Sequence, residues 1–178
     1  SWSTAATVGI ALIGIGEVSL REIGRWQDWS RAIHGQFLET LAYRPPSVVA
    51  FDVFFSDPSV DAEEDRAFAD GLSLHPGAIT GMFLDTSPEA RERARNRPFP
   101  PISLYATRPF PHVEGDVEKL LTGPTASTPI EVIAQSSWTG SVNFPPSRID
   151  GMRRNIPMIV RVGAAVYPSL VLQVLLPL

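Results

Sequence analysis

The residues of this chain best suited to chemistry are carboxylates. Asp52 interrupts the apolar run Ser47 to Phe55, Asp57 stands in the proline-marked loop after it, and Asp61, Glu63, Glu64 and Asp65 follow closely. Hard cations take several carboxylate oxygens, so a metal-dependent hydrolase built on Asp52 and Asp57 is one reading. The spacing fits no ligand motif. An EF-hand loop lacks its glycine here, and Val53-Phe54 removes the second aspartate that an aspartyl-phosphate hydrolase loop would carry. The opposing reading is structural: Asp57 stabilises a turn, Asp61 caps a helix, and Glu63, Glu64 and Asp65 are solvated.

Other candidates lie further off. Trp26 and Trp29 stand in a polar setting, where they either stack on a ligand or cover the edge of a core. Arg153-Arg154, after the turn pair Asp150-Gly151, could balance an acidic site or form an exposed basic turn. His34, His75 and His112 are too scattered for metal-ligand spacing. The serines and histidines form no nucleophilic set, and no glycine-rich phosphate loop is present. No metal or other cofactor is called for.

These residues need elements to hold them. Ser47 to Phe55 is a nearly unbroken apolar run, rich in β-branched and aromatic residues, as a strand buried on both faces would be. Thr7 to Ile15 reads as an earlier buried strand. Glu17 to Ile23 reads as a short helix stopped by Gly24, and Ser30 is the N-cap candidate for a helix near 30–43. The two strands should then be parallel neighbours in a right-handed βαβ unit. Their carboxyl ends would bring Gly16-Glu17 and Asp52 to one rim, with Asp57 in the next loop and the tryptophans as a wall.

Further along, Asp61 with Glu64 resembles a capping box opening a helix to Leu74, Ala78 to Leu84 is a strand candidate, and Ser87 to Asn96 is a solvated helix. The stretch 97–111 reads as extended, 115–121 as a helical turn or two, and 122–129 as loop. Trp138 to Phe144 and Ile156 to Val162 read as strands, and Tyr167-Pro168-Ser169 as a helix start. The expected class is α/β: a mainly parallel central sheet flanked by helices, with an antiparallel C-terminal part.

Composition narrows the function. A chain of 178 residues suits one domain with a full core, spanning 1–178. Its net charge of −4 argues against nucleic acid as a partner. The absence of cysteine removes thiol chemistry without fixing the compartment. Ser1-Trp2-Ser3-Thr4 lacks the basic region of a signal peptide, and no run is long enough for a membrane span. Both ends break into apolar sequence, as in a piece excised from a longer protein.

The order of pieces resembles the CHASE2 domain. The matching residues are Glu17 and Ser19-Leu20, Gly24-Arg25-Trp26 with Trp29 and Arg31, Ala50 through Pro58, and the acidic helix start through Asp65. They continue with Gly140, Val142-Asn143, Asp150-Gly151, Arg153-Arg154, Ile156-Pro157 and Tyr167-Pro168-Ser169-Leu170. The family's usual aspartate after the first strand is Gly16 here, its tryptophan-proline repeat is Trp26-Gln27-Asp28-Trp29-Ser30, and a common histidine is Ser141.

The resemblance implies a non-catalytic sensory module on the periplasmic or extracellular face of a bacterial membrane. Flanking helices outside this sequence would anchor it, and it would regulate a cytoplasmic nucleotide cyclase, histidine kinase, serine/threonine kinase or diguanylate cyclase. Its partner would be an unknown small molecule or other periplasmic signal, with a homodimer as a further option. The residues expected to line a ligand are Glu17, Trp26, Trp29, Asp52, Asp57, Arg153 and Arg154.

Overall fold

A helix pair sets the first layer. In α3 (Ala62–Ser73), Asp65, Phe68, Ala69 and Leu72 recur at helical spacing and are buried, while the Asp61 carboxylate caps the helix by accepting the Glu63 N–H at 2.9 Å. Helix α2 (Ala32–Leu41) buries His34, Gly35 and Leu38 against it. The axes come close because both helices carry glycine at the crossing. A Cβ on Gly35 would lie 2.6 Å from the Ala67 carbonyl oxygen, and one on Gly71 would lie 3.0 Å from the Gly35 Cα. The computed structural model describes residues 9–96, 109–110, 112–145, 152 and 155–176.

The helices pack on a sheet whose axis is β2 (Ala78–Asp85), apolar and buried over most of its length. Strand β1 (Val49–Phe51) runs parallel to it with Val49 opposite Ala78, and β5 (Trp138–Ser141) also runs parallel, with Ile79 opposite Trp138. Strand β4 (Thr125–Ser127) pairs antiparallel with the last residues of β2. A second sheet joins β3 (Leu121–Gly123), β6 (Ile159–Val162) and β7 (Ala165–Pro168). In it β3 and β6 are parallel, and β6 and β7 antiparallel. Short helices α1 (Glu17–Ile23), α4 (Pro88–Asn96), α5 (Glu131–Gln135) and α6 (Leu170–Leu175) complete the fold, with 3-10 turns at Trp26–Asp28 and Val117–Lys119.

Two apolar clusters result. Leu38, Phe55, Phe68, Leu72, Ala78 and Ile133 lie between the helices and the parallel strands. Met82 and Leu84 of β2 meet Val160, Val162 and Tyr167 of the smaller sheet. The chain is α/β, with a mixed sheet whose core is parallel and an antiparallel hairpin near its end. The capped α3, the Gly24 stop of α1, and the helices near 30–43 and 87–96 follow the sequence reading.

Several expectations are corrected. Residues 9–16 form neither helix nor strand, so β1 has β2 rather than an N-terminal strand as its parallel neighbour. Three glycines in eight residues, Gly9, Gly14 and Gly16, raise the entropic cost of ordering that segment as a strand. The central strand is β2 rather than 48–55, which leaves the ladder after Phe51 as Phe55 turns into the helix layer. Residues 122–129 hold most of β3 and all of β4, each three residues long and too short for periodicity to reveal.

Tyr167 and Pro168 end a strand instead of opening a helix, because Val160 and Ile159 pair with them. Ser169 caps the helix that follows, its Oγ accepting the Leu172 N–H at 3.1 Å. The ladder of the 138–144 segment stops at Ser141, and that of 156–162 starts at Ile159. The extended reading of 97–111 and the turn at Asp150-Gly151 fall largely outside the described residues.

Candidate functional site

Between α1 and α2 the chain builds an aromatic shell. Gly24 closes α1 at φ 107°, a conformation open to glycine, and its carbonyl accepts the Trp29 indole N–H at 2.9 Å. The Trp26 and Trp29 rings sit 5.1 Å apart, and both face His34 of α2, at 5.2 and 6.4 Å. His34 in turn meets Phe51, Phe55 and Phe68 at 6.2, 5.7 and 5.5 Å. The tryptophans are half-buried, so each keeps part of its ring in solvent. Burial first, and the nearby Arg31 charge second, hold the His34 pKa below its ordinary value and keep the ring neutral.

Arg31 ties this shell to the acidic loop. Its guanidinium donates to Asp65 Oδ1 at 2.5 Å and to the Asp57 carbonyl, and lies 5.6 Å above the Phe55 ring. The other Asp65 oxygen accepts the Ser59 N–H at 3.0 Å, and Glu64 accepts the Arg31 N–H at 3.3 Å. Arg31 and Asp65 side chains are only 14% and 5% exposed, so this is a buried pair joining α2, α3 and the loop between β1 and α3. The expectation that Asp65 is solvated is therefore corrected. Its place at i−3 from Phe68 and i−7 from Leu72 is the sequence signal that puts it on the buried helix face.

The predicted residues fall as follows. Trp26 and Trp29 come together. Asp52 follows β1 and is exposed, and Asp57 is exposed with its carboxylate 3.3 Å from the Ser56 hydroxyl. Glu17 opens α1 on the surface. A rim made of two parallel strand ends carrying Glu17 and Asp52 is thus corrected, because residues 9–16 are not a strand. Arg153 and Arg154 lie outside the described residues. Arg31 and His34, whose roles the sequence reading left open, are what join the shell to the loop.

Among the described residues, shallow open depressions lie elsewhere, one of about 390 Å³ lined by Arg91, Arg95, Thr122 and Gly163 and one of about 280 Å³ by His75, Gln135, Ser137 and Trp138. Among the described residues, no three His, Asp or Glu side chains converge as cation ligands, and no helix is long and apolar enough to cross a membrane.

The family model described as CHASE2 domain matches residues 1–177, and the chain belongs to that family. CHASE2 domains are extracytoplasmic sensory domains of transmembrane receptors. No curated protein and no solved structure matches the chain.

Proposed function

We propose that the chain is the extracytoplasmic sensor of a bacterial transmembrane receptor, held by flanking membrane helices. It receives a small molecule or other periplasmic signal and regulates a cytoplasmic nucleotide cyclase, histidine kinase, serine/threonine kinase or diguanylate cyclase. The observation that carries this reading is the family match over residues 1–177. The input surface is the solvent side of Trp26 and Trp29, with Asp52 and Asp57 on the neighbouring loop and Glu17, Arg153 and Arg154 as outlying candidates. Aromatic faces supply contact area at low entropic cost, and exposed carboxylates supply charge without a desolvation penalty. Arg31 relays a shift of either part, because it bonds both the loop and α3.

In this reading the domain transmits and does not catalyse. Receptor output is measured in cells carrying Trp29→Ala or Asp52→Asn, with a thermal melt of each purified chain alongside. A stable variant whose output no longer follows the medium supports the input surface. Unfolding would assign that residue a structural role instead. A metal-dependent hydrolase would show a concentration-dependent rise in melting temperature with Mg²⁺, Mn²⁺ or Ca²⁺, lost in Asp52→Asn, and turnover of a generic phosphoester.

A further inference from the structure

Residues 9–15 expose a continuous apolar run. Ile10 and Leu12 are 92% and 96% exposed, and Ile13 and Ile15 are exposed with them. The segment consists of glycine, alanine, isoleucine and leucine and carries no charge. Scattered single apolar residues on a surface are ordinary, whereas a continuous run of this kind marks an interaction site.

The matching surface is the outer edge of β1. This strand has β2 on one side, and the Val49 N–H bonds the Gly77 carbonyl at 3.1 Å. Because alternate residues of a parallel strand face the same neighbour, the N–H and C=O groups of Ala50 point the other way. Among the described residues nothing pairs with them. An open edge of this sort is a template for another strand.

We propose that two copies of the chain exchange strands: residues 9–15 of each add to the free edge of β1 in the other. A two-fold exchange covers the free edge of β1 in both copies with the same contacts. Ile10, Leu12, Ile13 and Ile15 from two copies, with the surface they cover, bury on the order of 1,000 Å², the lower bound for a specific interface. The segment's own β1 does not receive it here. It leads directly into α1. A lipid surface fits less well, because an extended backbone entering hydrocarbon would leave its polar groups unpaired.

Light scattering coupled to gel filtration on the 178-residue chain tests this, over a range of concentrations. The expected result is a dimer. Leu12→Asp with Ile13→Asp, at positions exposed in the folded chain, should weaken it about 100-fold or more, since each change acts twice in a symmetric dimer. Ala50→Pro, which blocks the free edge without removing a bond to β2, should do the same while circular dichroism stays unchanged. A dimer indifferent to the aspartate pair overturns the proposal. So does a monomer, whether its segment resists proteolysis, as a strand paired within one chain would, or the chain floats with phosphatidylcholine vesicles.

Discussion

Removing one member of the Arg31–Asp65 pair should be among the costliest changes outside the apolar core. In Asp65→Ala the guanidinium loses its 2.5 Å partner and the Ser59 N–H loses its acceptor, both at a site nearly closed to water. Breaking a buried pair from one side costs about 3–5 kcal/mol, because the remaining charge stays buried without compensation. That is a third or more of the roughly 5–15 kcal/mol that holds a typical domain together. Replacing both partners, as in Arg31→Met with Asp65→Leu, removes the stranded charge and should restore much of the loss. Urea unfolding followed by circular dichroism reads the effect as a shift in midpoint at constant slope. A loss below about 1 kcal/mol in Asp65→Ala would refute the reasoning, since that is the scale of a solvent-exposed pair.

Other predictions use the same melts. Asn143 accepts the Leu84 N–H at 2.7 Å and donates to the Leu84 carbonyl at 2.8 Å, continuing the pairing of β2 beyond β5. Asn143→Asp sets a carboxylate oxygen against that carbonyl and should cost about 2–4 kcal/mol, whereas a loss under 0.5 would contradict the role, a bound taken from ordinary surface changes of about that size. Gly35→Ala drives a methyl into the Ala67 backbone and should cost about 1–3 kcal/mol, as overpacking does, with an unchanged midpoint as the refuting result. His34 has a folded pKa below its unfolded value of 6.5, so the unfolded chain binds its proton first. Its contribution is complete above pH 6.5 and is lost as pH falls through the folded pKa. The stability slope between about pH 7 and pH 5 should therefore flatten in His34→Gln, by at most about 1.4 kcal/mol per pH unit.

Local signals carried much of the architecture. The Asp61 cap, the Gly24 stop and the apolar stripe of α3 each follow from a few neighbouring residues, and each lies where those residues place it. The errors concern pairing. Only a higher glycine content locally distinguishes the apolar run at 7–15 from that at 78–84, yet the second becomes the central strand and the described part of the first stays unpaired. Similarly, Tyr167-Pro168 is compatible with a helix start until Ile159 and Val160 pair with it across a hairpin. At the candidate site the tryptophan pair was legible from two large rings in a polar setting. The Arg31–Asp65 link was not, because it joins residues 34 positions apart and depends on how α2 crosses α3.

The central claim is that this domain senses and passes on a signal. It is tested most directly in the intact gene, by measuring the second messenger or phosphoryl product of the receptor as the external medium is varied. We predict that output responds to the medium in the wild type, and that Trp29→Ala, folded as judged by its melt, abolishes or strongly shifts the response. Output indifferent to every change of medium, and identical in wild type and variant, would contradict the claim and leave a scaffold in its place.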